Sequence, residues 1–279
     1  GILVSFEIMG LFLLLQIMVS FVGASAVMAA YMLQTGADVE SAQYAALNVM
    51  MDSRYMTTLT VVATMVSAVV SVPAYWLIWG RKKTAEDRKY FREKVLRLRT
   101  FAMIVIASFG LYYLALLIAA VIAVASPAVM EEYSEMMDAA LGGSEVLALL
   151  AAVILAPINE ECIMRGLILK NLQRFFSTPV VIIVQAVIFG IFHANWVQGF
   201  YVLPVGAALG YVAVKSRSVV PCIFMHLFYN SLSFAVEMFP EFCQTGIFAV
   251  GVVIVSAAAV WFIGRTERDA QASGTGYNI

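Results

Sequence analysis

The sequence predicts an all-α fold, a polytopic transmembrane helical bundle of about eight spans with both termini cytoplasmic. Three observations predict it. The chain is 62% hydrophobic and only 13% charged, with a mean hydropathy of +0.90, whereas soluble domains carry about 25% charged residues. Apolar runs close to the ~20 residues a span requires recur from end to end. Lys and Arg collect in alternate connecting segments, as the positive-inside rule asks of a membrane chain. The net charge of −1 adds nothing, because distribution rather than sum orients such a chain. No basic, aromatic-interleaved patch points to nucleic acid.

The first run, residues 2–33, lacks a basic n-region and is too long for a signal-peptide core, so it reads as a retained span. A polar loop with Asp38, Glu40, Asp52 and Arg54 follows. The second span is 56–79, anchored at the interface by Trp76 and Trp79. The segment 81–99 is strongly basic and reads as helical. The third span is 100–126, followed by an acidic loop with Glu131, Glu132, Glu135 and Asp138, broken at Gly142-Gly143. The fourth is 145–169. Ser177-Thr178-Pro179 makes a turn, since Pro suits a first helical position, and the fifth span is 179–196. The sixth, seventh and eighth are 200–214, 219–238 and 245–263, and the polar tail from residue 265 reads as disordered.

Charge tests this order. If 81–99 is cytoplasmic, alternation makes 170–178, 215–217 and the segment from 265 onward cytoplasmic too. These four segments hold nine, two, two and two Lys/Arg, which is fifteen of the seventeen in the chain. The two that remain are Arg54, in an outside loop, and Arg165, within a span. The expected organisation is a three-span N-terminal region at 1–144, a catalytic membrane core at 145–264 and a tail at 265–279. The setting is an integral, multi-pass membrane protein, in the cell membrane for a prokaryotic chain. The basic segment serves as a topology determinant, with contact to anionic lipids as the sharper reading. Cys162, Cys222 and Cys243 are odd in number, which argues against a disulfide framework, and they read as small buried hydrophobes.

The fourth span carries the most costly residues. Glu160, Glu161 and Arg165 lie in an otherwise apolar run, and each charge at mid-membrane costs roughly 2.5–3.5 kcal/mol even on mild insertion scales. Glu161 and Arg165 are spaced i, i+4 with the acid first, the favourable order for an ion pair. Glu160 points about 100° away from Glu161, so it is left free of that pair. The chain has two histidines, His193 and His226, and both fall inside predicted spans, where ionisable residues default to function. Glu160 and His193 stand at similar distances from the turn at Ser177-Thr178, so they sit at similar depth. Asn230, four residues after His226, shares its face.

A free Glu, two His and an Asn in a partly dry cavity suit hydrolysis of an acyl centre. A desolvated carboxyl near neutral pKa acts as general base on water, a neighbouring imidazole shares the proton, and His226 and Asn230 donate to a developing oxyanion. A peptide bond reached within the bilayer, near its cytoplasmic side, is the natural target. The same atoms allow another mechanism: Glu160, His193 and His226 are acceptable zinc ligands with a fourth position for water. The cofactor is therefore none for a glutamate-type enzyme and Zn²⁺ for a metalloendopeptidase. No His-Glu-x-x-His helix is present.

Three motifs in order, Glu160-Glu161-x-x-x-Arg165, Phe189-x-x-x-His193 and His226-x-x-x-Asn230, resemble the signature of the CPBP (CAAX protease and bacteriocin-processing, or Abi) family, which includes the Rce1-type CAAX prenyl endopeptidases. The resemblance covers roughly residues 146–238. It implies that Glu160 and His193 activate water, that His226 and Asn230 support the oxyanion, and that Glu161, Arg165 and Phe189 support the site. It also implies a peptide or lipidated-peptide substrate. Two other classes compete: a proton- or ion-coupled transporter, which should show paired broken helices in internal repeats, and a non-catalytic scaffold or immunity protein of the same fold.

Overall fold

In the computed structural model, which describes residues 1–272, the chain is all-α. Helix α1 spans Ile2–Thr35, α2 Val39–Met50, α3 Ser53–Ile78, α4 Ala85–Tyr90, α5 Leu98–Ala125 and α6 Pro127–Leu141. A continuous helix α7 covers Glu145–Leu172, then α8 covers Thr178–Phe192, α9 Trp196–Ser216, α10 Val220–Ala235 and α11 Gly246–Ala272. Among the described residues, α1, α7 and α9, together with Ser53–Lys82 and Leu98–Ala125, are the five helices long and apolar enough to cross a membrane. Shorter apolar helices occupy the places of the fifth, seventh and eighth expected spans.

Four expectations need correction. The polar loop after α1 contains the helix α2, started by the Asp38 side chain accepting the Ser41 N–H. The acidic loop is the helix α6, with Pro127 in its first turn, where a missing N–H costs nothing. The fifth span does not run to Trp196. It stops at Phe192, because Ala194 turns left-handed with φ 51° and Asn195 caps the next helix by accepting the Gln198 N–H. The tail is helical as far as Ala272, and its last part, residues 273–279, lies outside the described residues.

Helix α7 is not a plain α-helix. It contains two π-helical stretches, Leu149–Leu155 and Cys162–Ile168, of the kind that recur at functional sites. The first has a visible consequence. In this wider register the Ala156 N–H reaches back to the Ala151 carbonyl. The next donor in that register is Pro157, which has no N–H, so the Ala152 carbonyl loses its helical partner. A side chain from α10 takes its place, as described below.

The core lies around the second half of α7, which is buried on every side from Cys162 to Leu169. Helices α8 and α9 pack against it as a close hairpin. Small residues set the spacing, as is usual between membrane helices: a Cβ at Gly190 would stand 2.8 Å from the Gly199 carbonyl oxygen. That oxygen belongs to backbone and cannot swing aside. Gly190→Ala is therefore expected to lose about 1–3 kcal/mol of stability, the usual cost of overpacking. Thermal unfolding in detergent against Gly251→Ala, whose added methyl meets nothing within 4 Å, checks it. Equal melting of the two variants would refute the close approach.

Candidate active site

Four helices deliver the site. Helix α7 supplies Asn159, Glu160, Glu161 and Arg165, the end of α8 supplies Phe189 and His193, α10 supplies His226 and Asn230, and α9 supplies a backbone carbonyl. Glu161 and Arg165 are fully buried and paired at 2.8 Å, as their spacing predicts. The other Arg165 amino group donates to the Gly206 carbonyl at 3.1 Å. The guanidinium also lies 4.6 Å from the centroid of the Phe189 ring, a cation–π contact that strengthens when water is excluded. Phe189 in turn meets His193 and His226 edge-on, at 4.7 and 6.0 Å between centroids. It is the common wall against which both imidazoles and the guanidinium are set.

The two histidines are held in defined tautomers. His193 Nδ1 lies 2.8 Å from the Phe189 carbonyl. A carbonyl only accepts, so Nδ1 carries the proton and Nε2 presents a lone pair. His226 Nδ1 lies 2.8 Å from Glu161 Oε1 and donates to it, which turns Nε2 toward Glu160 Oε2 at 3.9 Å. Glu161 therefore has a second role beyond pairing with Arg165: it orients His226. With His226 protonated, Glu160, Glu161, Arg165 and His226 sum to zero charge, and Nε2–H becomes a donor facing the Glu160 side.

Glu160 is the free acid. Its side chain is 16% exposed, and among the described residues no hydrogen bond reaches its carboxylate. The His193 ring lies within electrostatic range of Glu160, His226 and Arg165. The residue before it, Asn159, is buried, and its carbonyl oxygen accepts from Ser67 at 3.0 Å and Ser71 at 2.7 Å. Two serines on one face of α3 thus clamp the helix immediately beside the acid. Asn230 Nδ2 donates to the Ala152 carbonyl at 2.7 Å, the group left open by the π-helical register and Pro157. One amide hydrogen is thereby committed to the backbone, and the second is uncommitted among the described residues.

Several residues of this site carry no motif in the sequence. Ser67 and Ser71 show only as an i, i+4 polar pair in an apolar span. Gln185, fully buried on α8, donates to Gly206 O at 2.6 Å alongside Arg165, and its signal was a lone amide within an apolar helix. Tyr201 is hydrogen-bonded to Tyr133 of α6 at 2.7 Å and lies within electrostatic range of Glu160 and Tyr229; nothing in the sequence joins these tyrosines.

Zinc ligands stand about 2.0–2.2 Å from the ion. Two such ligands at a tetrahedral angle lie about 3.4 Å apart; His226 Nε2 and Glu160 Oε2 are 3.9 Å apart, and among the described residues no group of three His, Cys, Asp or Glu side chains is gathered to hold a metal ion. Glu160 and His226 thus stand about as far apart as two ligands of one zinc ion do, and no third ligand is gathered with them among the described residues.

Fold and site together define a polytopic helical membrane protein with a carboxylate and two oriented imidazoles buried among its helices. Residues 142–232, from just before α7 into the second half of α10, match the family model for Rce1-like type II CAAX prenyl endopeptidases. The segment that carries the site is thus similar to that family, in agreement with the resemblance of its three motifs. No curated protein and no solved structure matched the chain.

Proposed function

We propose that this protein is an intramembrane endopeptidase in which Glu160 and His193 activate a water molecule. The observation that carries the reading is the contrast between two adjacent acids. Glu161 is spent on Arg165 and His226, while Glu160 keeps an unbonded carboxylate facing an imidazole. Structural burial alone calls for the first and gives no reason for the second.

The reaction needs only the residues present. The Glu160 carboxylate takes a proton from water as its oxygen attacks the scissile carbonyl, with the His193 Nε2 lone pair orienting or sharing that proton. Negative charge develops on the carbonyl oxygen, to which protonated His226 Nε2–H and the second Asn230 amide hydrogen donate. The tetrahedral intermediate then collapses, the C–N bond breaks, and Glu160 returns the proton to the departing amine. Low dielectric strengthens each of these contacts relative to water. The substrate class that the family match favours is a prenylated C-terminal CAAX-type tail, with other membrane-associated peptides as the broader group.

Cleavage of a prenylated peptide by the protein in vesicles tests this. His193→Ala is expected to lower the rate by about 10²–10⁴-fold, the contribution of a positioned acid–base group, with the helical circular dichroism unchanged. A variant that retains half the activity would sink the role of His193.

A further inference from the structure

We propose that Lys83, Lys170 and Arg217 form a phosphate-binding site at the end of the bundle opposite α6, around the start of α10. The basic segment after α3 is folded onto the link between α9 and α10. Lys83 Nζ donates to Ser218 Oγ at 3.1 Å. The Tyr90 hydroxyl donates to the Lys215 carbonyl at 3.0 Å. The Arg217 guanidinium lies 5.0 Å from the centroid of the Tyr90 ring and 3.6 Å from Asp87 Oδ1.

What this assembly lacks is negative charge. Lys170, at the end of α7, is partly buried, and among the described residues it has no hydrogen bond or ion pair. The charges it feels include Lys83 and Arg217, which repel it, and Asp87, which is the one acid among them. Asp87 is already engaged, accepting the Thr84 N–H at 3.1 Å and the Thr84 hydroxyl at 2.9 Å. Three cations and one acid leave two positive charges uncompensated. Burial also holds the Lys83 ammonium below the ordinary lysine pKa, with Asp87 opposing it only in part.

The backbone adds to this. Arg217 is held at φ 54°, a left-handed conformation that costs a non-glycine residue roughly 1–2 kcal/mol, and such strain collects where a ligand is clamped. Helix α10 begins with the Val220 N–H donating to Ser218 Oγ at 3.3 Å and with Pro221 in its first turn, and the positive end of its dipole faces the same place. A phosphate suits the set better than a single carboxylate does. Its oxygens can meet the guanidinium fork and two ammonium groups at once. Trp79, with Lys82 Nζ 5.7 Å from its ring, marks headgroup depth nearby. The phosphate can thus come from an anionic phospholipid or from a free phosphate in solution. His226 lies less than two turns along α10 from Val220, so occupancy bears on the helix that carries it.

The test is thermal unfolding of the full protein in neutral detergent, titrated with short-chain phosphatidylglycerol, short-chain phosphatidylcholine, and inorganic phosphate against chloride at matched ionic strength. Wild type is expected to be stabilised by phosphatidylglycerol or by phosphate, and not by phosphatidylcholine or chloride. Response to phosphatidylglycerol alone identifies a lipid headgroup, and response to phosphate alone identifies a free anion. Lys170→Met should raise the half-saturating concentration about tenfold, the size of one good charge contact, while raising the melting temperature of the ligand-free protein by removing repulsion. A merely structural lysine would lower it. Lys83→Met should weaken binding likewise, and Arg92→Gln, on the same basic segment, should not. No stabilisation by either phosphate source, or equal responses from Lys170→Met and Arg92→Gln, overturns the site.

Discussion

Glu160→Gln is expected to remove peptide-bond cleavage while leaving a folded protein. The substitution keeps the shape of the side chain and removes its ability to take a proton, and a general base of this kind contributes about 10²–10⁴-fold in rate. Folding should survive because among the described residues no hydrogen bond is made to the Glu160 carboxylate; His226 Nε2 stands 3.9 Å from it. The neutral amide should even ease burial. The measurement is the cleavage rate per folded molecule, with folding followed by melting temperature and elution as a single species. A fully active Glu160→Gln protein would remove the acid from the chemistry altogether.

The opposite pattern is expected for Arg165→Ala. Arg165 and Glu161 are both fully buried, and removing one member of such a pair typically costs about 3–5 kcal/mol, because the other charge is left uncompensated. Here the damage extends further. The Gly206 carbonyl loses one of two donors, Phe189 loses its cation, and the carboxylate that orients His226 loses its balancing charge. A folded domain has about 5–15 kcal/mol in reserve, so yield of folded protein should fall steeply. Replacing both partners, as in Glu161→Leu with Arg165→Met, should recover yield, since an apolar pair can substitute for a buried ion pair. It should not recover cleavage, because His226 Nδ1 then has no acceptor. Normal yield and melting of Arg165→Ala would show the pair to be dispensable for the fold.

The two variants separate chemistry from architecture within six residues of one helix, and that division was legible before any coordinates. Spacing i, i+4 is a local property, so the Glu161–Arg165 pair and the turning away of Glu160 follow from helix geometry alone. The all-α bundle was legible too, because hydropathy carries the backbone's need to satisfy its own hydrogen bonds in lipid. Helices α2 and α6 were not, although Asp38 and Pro127 stand where caps and first turns want them; their polar composition hid a periodicity read for spans only. The link from Glu161 to His226 was out of reach for a different reason. It joins residues 65 apart, and only the packing of α10 against α7 creates it.

Asn230 illustrates the limit most clearly. As a polar residue sharing a face with His226 it reads as an oxyanion donor, and its second amide hydrogen can still serve that end. Its bond to Ala152 depends on a π-helical stretch meeting a proline, two features whose conjunction shifts one carbonyl out of register. Ser67, Ser71 and Gln185 hold the site from behind through similarly long-range contacts. A polar residue alone in an apolar helix was the available signal for each, and it says that a partner exists without saying where.

The most direct measurement uses wild type and Glu160→Gln side by side in vesicles, with a prenylated C-terminal peptide in ¹⁸O-labelled water and product masses as the readout. Hydrolysis by a Glu160-activated water predicts cleavage at an internal amide bond by wild type, ¹⁸O in the new carboxyl group, and no product from Glu160→Gln. The same labelled products from both proteins would contradict it.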